Sequence, residues 1–176
     1  MSTFWKIGAV VVATSIFTSG CGRDAGRSPD VSSAQPLAST STAYLLTSEP
    51  ADGEGVKAVR AKAKDNEEVT VVGRVGGDAK PWVEGVAAFT IVDPEMKPCH
   101  EKEGCATPWD YCCELDLLPK VKALVKIVDS QGRAVPTDAR QLLGIKELQT
   151  VVAHGKAKRD EAGNLTVLAD GVFLRP

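Results

Sequence analysis

Aromatic residues make up only 5% of the 176-residue chain, His occurs twice, and the formal net charge is −2. Each scarcity excludes something. A balance so close to neutral offers no cationic track for a polyphosphate, which argues against a nucleic-acid binder. Two His give little material for His-rich metal sites or imidazole acid–base chemistry. The one sustained apolar run, Ile7 to Phe17, falls short of the roughly 20 residues that a membrane-spanning helix needs. The 16 Gly and 10 Pro are too few for a collagenous chain. What remains, 43% hydrophobic and 25% charged, suits a protein with one core.

The sequence first supplies an address. Lys6 followed by Ile7-Gly8-Ala9-Val10-Val11-Val12-Ala13 reads as a secretory signal segment. Thr18-Ser19-Gly20-Cys21 then resembles the lipobox of bacterial lipoproteins, which implies that Cys21 is lipidated and becomes the new N-terminus. From there to about residue 53 the chain is dominated by Ser, Thr, Ala, Pro and Gly. Such a segment buries too little apolar surface to offset its ordering entropy, so a disordered, flexible tether is expected. Tyr44-Leu45-Leu46 is an apolar island within it, able to dock on the domain. The expected organisation is a signal peptide (1–20), a tether (21–53) and a folded unit (54–176). The expected place is the cell envelope, lipid-anchored to a membrane and facing the periplasm or exterior.

The folded unit opens with helical spacing over 55–64, where Val56, Val59 and Ala63 share a face. Five strand-like segments follow: Val69 to Val75, Ala87 to Ile91, Val121 to Ile127, Leu148 to Lys158, and Leu165 to Leu174. Asp170-Gly171 is the expected bulge, and 160–164 a Gly-containing hairpin loop. Between the third and fourth strands, Asp138 is an N-cap for a short helix that Gly144 ends. A mainly β chain of five short strands with that one helix resembles the OB-fold barrel, over residues 69–176. The same stretch holds 14 Lys plus Arg against 15 Asp plus Glu. The nucleic-acid role that some OB folds have is therefore not expected, and Lys156, Lys158 and Arg159 read as a solvated strand face.

The chemistry concentrates in an insert at 93–119, between strands two and three. Cys99, Cys105, Cys112 and Cys113 lie within fifteen residues, with His100 beside the first. The reading that comes first is two disulfides, as befits an exported, loop-rich segment; four Cys allow three pairings. The second is a Zn or Cu site of thiolates with His100 as a further ligand. The third is a redox pair, though no Cys-x-x-Cys is present.

The string Thr107-Pro108-Trp109-Asp110-Tyr111-Cys112-Cys113 resembles one found in uncharacterised exported lipoproteins of planctomycete-type bacteria. The resemblance implies an anchored OB-like protein and brings no activity with it. The functional expectation is a non-catalytic binding or interaction module, with a metal-binding protein as the alternative and an enzyme or thiol redox protein a distant third. No catalytic residue is identified. Trp82, Trp109 and Tyr111 are the candidate ligand-binding aromatics, for a small ligand or an envelope protein. No cofactor is required by the first reading; Zn or Cu enters with the second.

Overall fold

The computed structural model describes residues 43–99 and 104–176. Cys21, the signal segment, the first part of the tether and His100 lie outside the described residues. The elements in chain order are β1 (Glu54–Gly55), α1 (Val56–Lys62), β2 (Glu68–Val75), β3 (Trp82–Val83) and β4 (Ala88–Val92). A 3₁₀ turn (Cys112–Glu114), α2 (Leu118–Val121), β5 (Lys122–Ile127), α3 (Ala139–Leu143), β6 (Thr150–Arg159) and β7 (Leu165–Leu174) complete the chain.

The five long strands close into a barrel. β2 pairs with β6, β6 with β7, β5 with β4 and β4 with β2, all antiparallel. β5 and β7 pair in parallel, as they can because the α3 segment and β6 intervene. This is the OB-like barrel, with α3 between its third and fourth strands.

Period-2 alternation fills the interior. Val71 and Val75, Phe89 and Ile91, Val125 and Ile127, Val151 and Ala153, and Val167 and Val172 all bury their side chains in one cluster. Each of the Val, Ile and Phe side chains contributes roughly 1.5–3 kcal/mol on leaving water. Gly73 also points inward, and a Cβ there would stand 2.7 Å from Ile91. Asp170 is the extra residue of a bulge: His154 pairs with Gly171 and Gly155 with Ala169. The hairpin loop before β7 is built on Gly163 at φ 77.

Two helix ends have different devices. Asp138 caps α3 by accepting the Arg140 N–H, and Gly144 at φ 67 ends it. α1 has no acidic residue in its own first turn. Its cap comes from Asp93 at the end of β4, only 3% exposed, which accepts the Lys57 N–H at 2.8 Å. A carboxylate at a helix N-terminus satisfies an orphan donor and complements the dipole.

Three short elements had no clear pattern in the sequence: β1, β3 and α2. The insert is not wholly irregular either. Tyr111, Leu118, Val121 and Val92 form a second small core beneath it, with Met96 packed alongside. The last residues of the segment read as tether are pinned to the barrel. Leu45 bridges Val172, and Glu49 pairs with Arg175 at 2.6 Å.

Candidate metal centre

Tyr111 sets the geometry of the insert. It adopts φ 55 in the left-handed region, uncommon for a residue with a Cβ, and its side chain is fully buried. That turn sends the ring down into the small core and leaves Cys112 and Cys113 exposed on the following 3₁₀ turn. The Trp109 carbonyl accepts the Gly77 N–H at 2.7 Å, and Trp109 Nε1 donates to the Ala79 carbonyl at 3.2 Å. The insert is thereby clamped to the loop after β2. The approach requires glycine: a Cβ at Gly76, φ 154, would fall within 2.4 Å of the Trp109 carbonyl oxygen.

On this frame the thiols converge. Cys99 Sγ lies 3.7 Å from Cys112 Sγ and 2.9 Å from Cys113 Sγ, and Cys105 Sγ lies 3.5 Å from Cys112 Sγ. No two sulfurs among the described residues stand at bonding distance, so the two expected disulfides are absent from the structure, a disulfide needing about 2.05 Å. The Sγ atoms of Cys99, Cys105 and Cys112 and a carboxylate oxygen of Asp110 all lie within 4.8 Å of one another. A tetrahedral ion with Zn–S bonds of about 2.3 Å separates its sulfurs by about 3.8 Å. The 3.5 and 3.7 Å spacings are close to that edge, and soft thiolates with one carboxylate form a donor set that Zn accepts.

Asp110 organises the cluster. Its Oδ1 accepts the Cys112 N–H at 2.9 Å and lies 3.9 Å from Cys105 Sγ. Its Oδ2 accepts the Thr107 hydroxyl at 2.6 Å. Burial raises the Asp110 carboxyl, but the bonds from Thr107 and Cys112 outweigh it and hold the group below the usual carboxylate range. The thiols diverge. The hydrogen bond with Cys113 is the chief cause that holds Cys99 below the ordinary thiol value. Cys112 is pushed upward, chiefly because it donates to Cys105 and Asp110.

The aromatic residues do not gather into one platform. Trp82 packs on Phe89 with ring centroids 6.1 Å apart, donates to Glu147 at 2.8 Å, and carries Arg140 over its ring. Trp109 lies across the barrel's first loop, and Tyr111 is out of reach of solvent. Asp110 carries no signature that sequence reasoning could rank above other loop acids; its one trace is the Thr107-x-x-Asp110 spacing. An open cleft of about 540 Å³ adjoins the cluster, lined by Asp78, Asp110, Cys112, Leu115, Lys122 and Asn164 among others. No protein-family model matches the chain, and no curated protein matches it.

Proposed function

We propose that this protein is a membrane-anchored envelope lipoprotein whose OB-like barrel carries a thiolate metal centre in its insert. Cys99, Cys105 and Cys112, with Asp110, would hold one Zn(II) or Cu(I) ion. The observation that carries the reading is the convergence of those four donor atoms within 4.8 Å. A structural ion of this kind would join the arm bearing Cys99 to the turn bearing Cys112 and supply folding energy to a segment with little core of its own. The run from Lys6 through Cys21 supports the address. Among the described residues no helix is long and apolar enough to cross a membrane; in this reading a lipid on Cys21 is the anchor.

A second reading, a non-catalytic module for a small ligand or envelope protein, is favoured by the cleft beside Cys112. Its volume is within the range of small-molecule sites, and it is bounded by the loops that OB folds use for binding. The two readings are compatible, since Asp110 and Cys112 line both.

The deciding experiment is metal analysis paired with thiol titration on protein purified without reductant. The metal reading expects about one ion per chain and thiols that become titratable on denaturation with chelator. No metal and no titratable thiol would replace it with the two disulfides. Palmitate labelling tests the address: Cys21→Ala should lose the label that the wild type takes.

A further inference from the structure

Cys113 touches the candidate centre without belonging to it. The four converging donors are Cys99, Cys105, Cys112 and Asp110. Cys113 Sγ nevertheless sits 2.9 Å from Cys99 Sγ, closer than either 3.5 or 3.7 Å contact to Cys112. Cys99 thus contacts both a member of the converging set, Cys112, and the further thiol of Cys113. Joining Cys99 to Cys113 needs an approach of only about 0.9 Å to reach a disulfide bond length.

The two partners differ in access. Cys113 is exposed on the 3₁₀ turn, whereas Cys99 is 6% exposed and its arm is held by the Cys99 N–H donating to the Pro108 carbonyl at 3.1 Å. Of this pair, Cys113 is the thiol that an oxidant reaches from solvent, and the Cys99 sulfur lies 2.9 Å away to resolve the product.

We propose that Cys113 is a redox modification site that controls the metal centre: oxidation of Cys113 and Cys99 to a disulfide withdraws Cys99 from the ion and releases it. The inference rests on the metal reading. The oxidant class is a peroxide. Cys113 gives its thiol proton to solvent and the thiolate attacks hydrogen peroxide; the O–O bond breaks, sulfenic acid forms, and the hydroxide that leaves takes up that proton to become water. The Cys99 sulfur then attacks the sulfenic sulfur, the S–S bond forms, and a second water leaves. Two thiols are oxidised by two electrons and one peroxide is reduced. Zn(II) takes no part in the electron transfer. It is left with Cys105, Cys112 and Asp110, a set short of one thiolate.

The test uses the full chain loaded with Zn(II), treated with hydrogen peroxide, with released ion read by a chromogenic chelator and disulfides mapped by mass spectrometry. The wild type should release its ion as a Cys99–Cys113 disulfide appears. Cys113→Ser should bind Zn(II) as the wild type does and release it under peroxide at least tenfold more slowly. Equal release rates would overturn the switch and leave the metal reading standing. A more than tenfold loss of Zn(II) affinity in Cys113→Ser would make Cys113 a ligand and overturn the switch in the same way. Failure of the wild type to take up Zn(II) at all would overturn both, and a Cys99–Cys113 disulfide in that metal-free protein would mark a structural cross-link instead.

Discussion

Asp110 holds Cys112 in place through its backbone: the carboxylate Oδ1 accepts the Cys112 N–H at 2.9 Å while Oδ2 is fixed by Thr107 at 2.6 Å. The carboxylate therefore both faces the thiols and fixes the turn that presents one of them. Asp110→Ala should weaken metal binding by at least about 10–100-fold, the usual cost of losing a group that orients ligands, because it removes a proposed donor as well. The barrel should keep its far-UV spectrum. Competition with a chelator of known affinity measures the change, and an unchanged affinity would remove Asp110 from the centre.

Gly155 is demanded by the bulge. A Cβ there would lie 2.1 Å from the Leu168 carbonyl oxygen and 2.7 Å from the Ala169 Cα, both backbone atoms that cannot swing aside. Gly155→Val should cost about 3 kcal/mol or more, since overpacking a tight interior forces the backbone to shift. Urea denaturation gives the value, and a loss under about 0.5 kcal/mol, typical of surface changes, would contradict the packing described.

Much of the barrel was legible in the sequence, for a simple reason. Strand 122–127, and strand 165–174 up to its bulge, bury alternate residues, so β periodicity marks them; Asp138 and Gly144 mark α3 by local chemistry. The cap that Asp93 provides for α1 was not legible, because the partners are 36 residues apart in sequence and nothing local reports the contact. Tyr111 reads as a candidate ligand-binding aromatic beside two cysteines, yet its left-handed backbone turns the ring into the small core. The four cysteines announced a site by density alone. Their separation into three thiols that converge with Asp110 and one further thiol depends on the turn geometry, which the spacing does not encode.

The Tyr111 hydroxyl is buried and meets no full hydrogen bond among the described residues; burial pushes its phenol up, against the weak hydrogen bonding and positive charge of the nearby Arg74 guanidinium. Tyr111→Phe should leave stability unchanged or raise it by about 1 kcal/mol, because an unsatisfied buried polar group carries a desolvation cost. Tyr111→Ala should cost about 3–5 kcal/mol by emptying the small core. Thermal unfolding of both variants checks this. A Phe variant less stable by more than about 1 kcal/mol would mean that the hydroxyl has a partner.

Acid should loosen the fold through its surface carboxylates. Asp65 is lowered chiefly by its hydrogen bond from Lys158, Asp129 by the backbone N–H of Arg133, Asp138 by Arg140, and Asp160 by Asn164. Each folded-state carboxyl is a stronger acid than in the unfolded chain. The stability they contribute is therefore fully present above the unfolded value near 4 and is lost as pH falls through the lowered folded values. Asp65 and Asp160 are exposed and Asp129 and Asp138 are half-buried at the surface, so salt should shrink the effect, most for the first pair. Urea midpoints from about pH 7 down to about pH 3 should fall at the acid end, more at low salt; a flat profile would contradict the assignment.

The most direct measurement of the metal centre is Co(II) substitution of the full chain followed by its absorption spectrum. Thiolate coordination in a tetrahedral field predicts sulfur-to-metal charge-transfer bands and intense d–d bands that saturate at about one ion per chain. Both should vanish in Cys105→Ser/Cys112→Ser. A wild-type spectrum no different from that of Co(II) in buffer would contradict the account.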